Sequence, residues 1–533
     1  MSRSPVVAAL VLALAFGSAS CASAPKREGG GAAAPAASSA PAAQQPAGES
    51  PDARAEARAN GEARAGGEQR RVDGREIPTN GPPPELTLPE QKHFTLRNGL
   101  KVRLVEYRRL PIVALNLTVL AGGARDPAAK PGLASFTAAM LTEGTRTRSS
   151  TRISDEAGFL GASLGAGAGP DAAAVSGAVL ARHLPRFLEL YADVILNPAF
   201  PRKDFERVQD QRLVALLQQR DQPQAIAGRA FAGAFWGEHP YGHVMLGTEA
   251  SVKAMRPADL AAFHARHFRP GAAELVVVGD VSEAELRPLL ERTLGKWKAG
   301  AGAAPLADRP AAAPQRTILL EKPGAPQSFL LLGMPGYERD SEDLVAASVA
   351  FQVLGGGMSS RLFRNLREEK GWTYGLGAHG DARKLAGASV VAGSVKAEVT
   401  GDAMKEILEE LRRLREEPVT AAELEDAKNA LVLSLPADFA TAGGIAARLA
   451  DLALHGLLDD YWSRYAEAAR KVTAEDVRRV ARRYLDPARL TFVLVGDPAA
   501  VKPQLAALPL GPLEVRTAAN AAGTAAAVPA GAR

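Results

Sequence analysis

The spacing of apolar and polar residues changes several times along the chain, and each change predicts a different element. Residues 94–105 alternate around Asn98-Gly99, which predicts two strands joined by a tight hairpin turn. Residues 112–120 read as a third strand, residues 131–142 as an apolar helix, and residues 274–280 as a buried strand. Helical spacing also occurs over residues 182–196, 202–220 and 257–268. The mixture predicts an α+β fold.

One part of this pattern occurs twice. Residues 259–280 read DLAAFHARHFRPGAAELVVVGD, and residues 476–497 read DVRRVARRYLDPARLTFVLVGD. Pro270 corresponds to Pro487, and Gly279 corresponds to Gly496. Each copy predicts a helix, a proline break, a buried strand and a Gly-Asp turn. The repeat therefore predicts two homologous, duplicated domains of similar size.

The first segment, residues 1–21, is typical of a secretory signal. Arg3 precedes an apolar run that is too short to span a bilayer, and small residues lead to Cys21. Cys21 stands where a bacterial lipoprotein is cleaved and acylated, so we expect a lipid anchor there. Ser18 occupies a position that usually holds leucine, and ordinary signal cleavage near Ala24 is the alternative.

Three further segments are rich in alanine, with glycine, proline and small polar residues. Residues 22–85 predict a disordered tether, residues 299–314 a linker, and residues 514–533 a flexible tail. The two predicted domains therefore cover residues 86–298 and 315–513. The chain has 46% hydrophobic and 23% charged residues, a net charge of +5 and a single cysteine. Interleaved charges argue against a nucleic-acid surface, and one cysteine excludes an internal disulfide.

The order and spacing of several motifs resemble the pitrilysin/insulinase family of zinc metallopeptidases, of the bacterial processing-peptidase-like type. The resemblance covers about residues 86–513. Its markers are GGARD at 122–126, HPYG at 239–242, GGGMSSRLF at 355–363 and REEKGWTY at 367–374. The resemblance implies two duplicated domains, each a mainly antiparallel sheet packed with helices, arranged as half of a clam shell.

The family's His-x-x-Glu-His motif is missing. The five positions hold Ser135, Phe136, Thr137, Ala138 and Ala139. In the family the two histidines bind zinc and the glutamate acts as general base, while a later helix supplies a glutamate ligand. The corresponding residues 208–220 read VQDQRLVALLQQR, without glutamate. We therefore expect no catalytic residue at Ser135, Ala138 or Ala139, and no metal or other cofactor bound by this chain.

Two histidine pairs have a spacing that metal ligands also use, namely His239 with His243 and His264 with His267. Pro240 prevents a regular helix from aligning the first pair. The second pair corresponds to Ala481 and Tyr484 in the repeat, which favours packing. Residues 375–380 match G-x-G-x-x-G, but a charged helix precedes them and a strand-like segment follows, so the pattern does not indicate a dinucleotide site.

Arg367 and Tyr374 are the candidate functional residues that remain. Residues 361–371 predict a helix that ends at Gly371. In the resembling family, an arginine and a tyrosine at this separation help to bind the substrate backbone and stabilise the oxyanion at the zinc site. Without the resemblance, the same residues would read as a helix-end arginine and a tyrosine that packs locally.

The expected function is that of a non-catalytic, substrate-binding subunit of a heterodimeric peptidase. Its partner would be a zinc-binding insulinase-family subunit, its substrates peptides, and its location the periplasmic face of the outer membrane. Ala22 after Cys21 favours the outer membrane, because retention in the inner membrane commonly uses aspartate there. One alternative is an inactive lipid-anchored scaffold or peptide-binding protein of the cell envelope. Another is a lone enzyme with a novel site.

Overall fold

The computed structural model describes residues 88–517 except 301, 307–308, 312–314 and 507. It also assigns a short antiparallel hairpin, Arg71–Val72 with Arg75–Glu76, in a separate unit of the chain. The sequence analysis predicted no strand in the tether, although Asp73-Gly74 is a dipeptide that favours hairpin turns. The predicted signal segment, Cys21 and the rest of the tether lie outside the described residues.

In the described part of the main unit, the strands form two six-stranded sheets. The first sheet consists of β1 (Lys92–Thr95), β2 (Lys101–Glu106), β3 (Ile112–Val119), β4 (Ser163–Ala168), β5 (Ala173–Leu180) and β6 (Ala273–Gly279). The second consists of β7 (Arg316–Glu321), β8 (Gln327–Pro335), β9 (Thr373–Ala382), β10 (Gly387–Lys396), β11 (Thr491–Gly496) and β12 (Leu513–Thr517).

The α-helices of the first half are α1 (Leu133–Ala139), α2 (Ser150–Phe159), α3 (Leu184–Leu196), α4 (Arg202–Gln218), α5 (Pro223–Trp236), α6 (Glu249–Ala254), α7 (Pro257–His267) and α8 (Glu283–Arg292). Those of the second half are α9 (Leu344–Gly355), α10 (Arg361–Phe363), α11 (Thr400–Glu416), α12 (Ala421–Asp438), α13 (Ala442–His455), α14 (Tyr461–Lys471), α15 (Ala474–Tyr484) and α16 (Pro498–Leu505). Short 3₁₀ turns join several of them.

Both sheets are mainly antiparallel. The strand order is β1-β2-β6-β3-β5-β4 in the first sheet and β9-β10-β8-β11-β7-β12 in the second. Only β2 with β6 is parallel in the first sheet, whereas β7 is parallel to both β11 and β12 in the second. The predicted α+β fold class is confirmed.

The two copies of the sequence repeat hold the same place in their sheets. Val277 of β6 pairs with a leucine on each side, and so does Leu494 of β11. In each copy a proline-led 3₁₀ turn, Pro270–Ala272 or Pro487–Arg489, connects the helix to the strand. Because β6 and β11 have corresponding neighbouring strands in the same register, the repeat in the sequence is also a duplication of structure.

Each half covers one face of the other half's sheet. Helix α5 of the first half packs against β8 and β11, and helix α13 of the second half packs against β3 and β6. Phe231 of α5 shares a buried cluster with Val493 and Val495 of β11. Leu449 of α13 shares another with Val276 of β6. The predicted linker thus separates the two halves along the chain, but the two halves share hydrophobic clusters.

The packing of α13 on the first sheet explains why apolar and polar residues do not alternate along β6. Leu275 and Val277 lie in the core of the first half, whereas Val276 and Val278 lie in the cluster shared with the second half. A strand buried on both faces needs apolar residues at every position.

Tyr241 of the HPYG motif joins the two halves by hydrogen bonds. Its hydroxyl donates to Asp171 Oδ1 at 2.5 Å and accepts the backbone N–H of Leu385 at 3.1 Å. The backbone N–H of Lys384 donates to Asp171 Oδ2 at 3.1 Å, and the Arg383 guanidinium lies 5.0 Å from the centroid of the Tyr241 ring. The turn between β9 and β10 is therefore held by side chains of the first half.

The predicted flexible tail begins too early. Leu513–Thr517 forms β12, which pairs in parallel with β7 at the edge of the second sheet. The side chain of Thr317 also donates to the Leu510 carbonyl at 2.6 Å. The prediction that the tail starts at residue 514 is wrong, because pairing with β7 orders a segment too short to signal a strand. Residues 518–533 lie outside the described part.

Among the described residues, no single helix has both the length and the hydropathy needed to cross a membrane. Helices α12 and α13 satisfy both conditions only when taken together, and they meet at a bend of 115°. Both contribute buried side chains to the shared core.

The contact between Phe231 and Gly333 offers a test of the packing of α5 against the sheet of the second half. A Cβ on Gly333 would lie 2.2 Å from Cε2 and Cζ of Phe231. We expect Phe231→Ala to lower the free energy of unfolding by ~3–5 kcal/mol and Gly333→Ala by ~1–3 kcal/mol. The double variant should lose less than the sum, because the new methyl group enters the space that the ring leaves. Denaturant titration measures all three values.

Gly228→Ala on the same helix is the control, since a Cβ there meets nothing within 4 Å. This substitution should be neutral or stabilising by up to ~1 kcal/mol. Additivity of Phe231→Ala and Gly333→Ala within ~0.5 kcal/mol would show that the two residues do not touch in solution.

Candidate functional site

The residues that replace the zinc motif lie on α1, in the first half. Gly132, immediately before the helix, has a φ of 90°, and a Cβ there would lie 2.6 Å from the nitrogen of Gly247. This position therefore requires glycine. The Asp126 carboxylate accepts the backbone N–H groups of Gly132 and Ala134, each at 2.7 Å. The start of the helix is held by Gly132 and Asp126, not by the motif positions.

A buried guanidinium lies beside the first motif position. The Ser135 hydroxyl is within hydrogen-bond distance of the carbonyl oxygens of Gly132, at 3.1 Å, and Met245. Arg212 of α4 donates from Nη1 to Ser135 Oγ at 3.1 Å. Its guanidinium carbon lies 4.6 Å from the centroid of the Phe136 ring, and the residue is only 8% exposed. A cation of the chain itself thus adjoins the degenerate motif.

The two buried charges near α1 influence each other. Burial lowers the pKa of Arg212 to about 10, and the Asp126 carboxylate opposes this shift. Burial raises the pKa of Asp126 to about 7, while the backbone N–H groups of Ala134 and Gly132 and the Arg212 charge act in the opposite direction. Arg212 is therefore a counter-charge for Asp126.

The zinc ion that the motif would hold does not fit these residues. Protein zinc ligands are thiolates, imidazoles and carboxylates, whereas the histidine and glutamate positions of the motif hold the hydroxyl of Ser135 and the methyl groups of Ala138 and Ala139. The later helix brings Arg212 to Ser135, and its positive charge would repel a divalent cation. In the described ranges, no three His, Cys, Asp or Glu side chains are grouped so that they could hold a metal.

The histidine pairs take part in local packing. His264 Nε2 lies 2.8 Å from the Ile195 carbonyl, and its ring stacks on Phe268 with centroids 4.7 Å apart. His267 lies against Phe263 at 4.5 Å. His239 Nδ1 accepts the backbone N–H of Tyr241 at 3.1 Å, at the start of the Pro240–Gly242 turn. These contacts agree with the packing interpretation. Residues 375–380 lie inside β9, which also excludes the dinucleotide interpretation.

Arg367 and Tyr374, the candidate functional residues, are adjacent. Arg367 Nη1 donates to the Tyr374 carbonyl, and the guanidinium carbon lies 5.7 Å from the centroid of the Tyr374 ring. The predicted helix differs in detail: Arg361–Phe363 is α-helical, but Arg364–Glu369 forms a π-helix that ends before Gly371, whose φ is 63°. Such π segments occur frequently at functional sites.

A local insertion exposes Tyr374. Leu164 and Leu376 hold equivalent places on the edge strands β4 and β9, as the pairing of their neighbours shows. A left-handed glycine precedes each strand, but Gly161 lies three residues before Leu164 whereas Gly371 lies five before Leu376. The two extra residues accompany a register shift in β9. Tyr374 lies in this insertion and is 83% exposed.

The sequence interpretation missed Arg212. A signal was available, because Arg212 lies one helical turn from both Val208 and Leu216, on the face of α4 that is buried. A charged residue on such a face needs a polar partner. The partner, Ser135, is on a distant helix that the spacing of residues in α4 does not identify.

Comparisons with known proteins match both halves to one family. Residues 102–249 match the model described as Insulinase (Peptidase family M16), and residues 254–431 match the model described as Peptidase M16 inactive domain. The chain belongs to the insulinase family, peptidase family M16. The match to the inactive-domain model indicates a non-catalytic, peptidase-like member of that family.

Relatives and solved structures agree with the family assignment. An uncharacterized zinc protease of Mycobacterium leprae is 29% identical over 346 residues, which cover 63% of this chain and 76% of the relative. A solved peptidase M16 inactive domain from Pseudomonas fluorescens is 28% identical, with a TM-score of 0.73, and the match covers 76% of this chain and 98% of that one. A protease from Helicobacter pylori, at 20% identity and a TM-score of 0.72 over 77% of this chain and 100% of that one, shows the same fold.

Metal analysis tests the interpretation of α1. We expect the purified chain to hold well below one zinc per chain after dialysis, and the variant Ser135→His/Ala138→Glu/Ala139→His to do the same. The triple variant still lacks a third ligand and retains Arg212. Adding Arg212→Glu to it should raise zinc occupancy, because a carboxylate replaces the repelling charge. One tightly bound zinc in the unmodified chain would contradict this account.

The packing role of His264 predicts a pH dependence of stability. Burial lowers the pKa of His264 to about 4. The unfolded chain takes up a proton as the pH falls through about 6.5, but the folded chain does not until about 4, so stability is lost between these values. His264→Phe should therefore abolish about 2 kcal/mol of the loss between pH 7.5 and pH 5. An equal loss in the variant and the parent, measured by denaturant titration at both pH values, would refute the assignment.

Proposed function

We propose that this protein is the substrate-binding, non-catalytic subunit of a heterodimeric zinc peptidase of the insulinase family. Its partner is an insulinase-family subunit with an intact His-x-x-Glu-His motif and a bound zinc ion, and the pair cleaves peptides in the periplasm. Arg367 and Tyr374 of this chain complete the partner's active site.

The observation that carries the proposal is the contrast between the two halves. The first half retains the frame of the motif helix around Gly132 and Asp126 but contains no ligand or general base. The second half presents an exposed phenol and an adjacent guanidinium at the start of an edge strand. A fixed positive charge and a hydroxyl donor are groups that stabilise a developing oxyanion. Within the proposal, these two groups are what this chain contributes to the partner's zinc site.

The exposure of Tyr374 supports a role outside its own fold. A tyrosine that stabilised the second half would bury its ring, as Tyr337 and Tyr484 do. The ring of Tyr374 instead remains accessible, in an insertion that the first half lacks. Within the proposal, its hydroxyl is free to meet a substrate carbonyl.

The proposed location depends on the sequence. The apolar leader and Cys21 favour export and a lipid anchor, and the composition of residues 22–85 is typical of a tether. A lipid-anchored scaffold that binds peptides without cleaving them is the alternative, and the reconstitution below separates the two.

Reconstitution with a candidate partner tests the role of Arg367. The partner is an insulinase-family chain from the same genome that retains His-x-x-Glu-His, and the substrate is an internally quenched peptide. We expect each chain alone to be inactive and the mixture to be active. Arg367→Ala should lower kcat/KM of the mixture by about a hundredfold or more, the effect of losing an oxyanion donor. Tyr374→Phe should lower kcat more than it raises KM.

Arg364→Ala is the matched control, because Arg364 lies one turn earlier and pairs with Glu423 at 3.2 Å. It should leave kcat/KM of the mixture within about threefold. A change of less than about twofold on Arg367→Ala would disprove the role of Arg367. Full activity of the partner alone would favour the scaffold.

A further inference from the structure

A cavity of about 460 Å³ lies where the two halves meet, and four aromatic side chains are among the residues that line it. Phe235 and Trp236 come from the end of α5, in the first half, with ring centroids 4.7 Å apart. Tyr337 and Tyr484 come from the second half, with centroids 5.2 Å apart. Both pairs are edge-to-face, so each half contributes two aromatic side chains to the lining.

Positive charge exceeds negative charge around this cavity. Arg309 pairs with Glu338 at 2.6 Å, and both line the cavity. Arg483 pairs with Asp343 at 2.9 Å, but Asp343 also accepts from Arg479 at 2.5 Å. Arg479 also lies 3.8 Å from Asp476, so two carboxylates balance these two guanidinium groups.

Arg489 carries the positive charge that is in excess. It lines the cavity, and its guanidinium has no hydrogen-bond or ion-pair partner among the residues that the structure describes. The corresponding position of the first half is Ala272, at the end of an equivalent 3₁₀ turn. The fold therefore does not need an arginine at this point.

We propose that this cavity binds a carboxylate joined to an aromatic ring, with the ring between the aromatic walls and the carboxylate on Arg489. Its volume falls within the range of about 300–1,000 Å³ that is typical of ligand sites. Charge-assisted hydrogen bonds from a guanidinium suit a planar carboxylate. The same chemistry occurs in the last residue of a peptide that ends in phenylalanine and in a free aromatic acid. The site does not involve Arg367 or Tyr374 and stands independently of the proposed heterodimer.

Calorimetric titration of the full chain at low ionic strength tests the site. The probes are N-acetyl-Ala-Ala-Phe, the same peptide as its carboxamide, and 4-phenylbutyrate. We expect the peptide acid to bind and the carboxamide to bind at least about tenfold more weakly, because the charge is absent. Phenylbutyrate that binds as tightly as the peptide acid would identify the free acid as the sufficient ligand, and weaker binding would identify the peptide terminus.

Arg489→Met should raise the Kd of the peptide acid at least about tenfold, whereas Arg489→Lys, which retains the charge, should raise it less. Arg470→Met is the control, since Arg470 is exposed on α14 and does not line the cavity. Equal binding of acid and carboxamide would overturn the proposal. So would an unchanged Kd in Arg489→Met, or no binding of any probe to the folded chain.

Discussion

The reciprocal packing of α5 and α13 is the constraint on which the rest of the structure depends. Each sheet is covered on one face by its own helices and on the other by a helix from the opposite half. If the halves were separated, Val276 and Val278 of one sheet and Val493 and Val495 of the other would be exposed to water. Because burial of such side chains stabilises each by about 1.5–3 kcal/mol, each sheet depends on the opposite half for part of its stability.

This shared core also fixes the regions where function is proposed. Tyr241 and Asp171 of the first half hold the turn between β9 and β10 of the second. The end of α5 supplies half of the aromatic wall around the cavity at the junction. A site assembled in this way exists only when both halves are folded together. This dependence is a physical reason for retaining the first half, although it carries none of the catalytic groups of the zinc motif.

The motif helix persists without its ligands because other residues hold it. Gly132 permits the close approach of Gly247, and Asp126 accepts the first backbone N–H groups. A buried carboxylate such as Asp126 is destabilising when no opposite charge is near it. Arg212 supplies that charge from α4. In the second half, by contrast, the backbone departs from regular geometry around Arg367 and Tyr374, through a π-helix and a two-residue insertion.

The sequence by itself determined several of the helices and strands and the absence of the zinc ligands and the general base. The Asn98-Gly99 hairpin, the repeated helix-proline-strand unit and the helix around Ser135 follow from local spacing, and the absence of ligands follows from residue identity. Only the tertiary structure decided which helix covers which sheet, that Arg212 meets Ser135, and that Tyr374 is forced outward. The tertiary structure also decided that Leu513–Thr517 forms a strand, since this strand depends on pairing with β7. These features arise from contacts between residues far apart in the chain, and such contacts leave no period or motif in the segment that carries them.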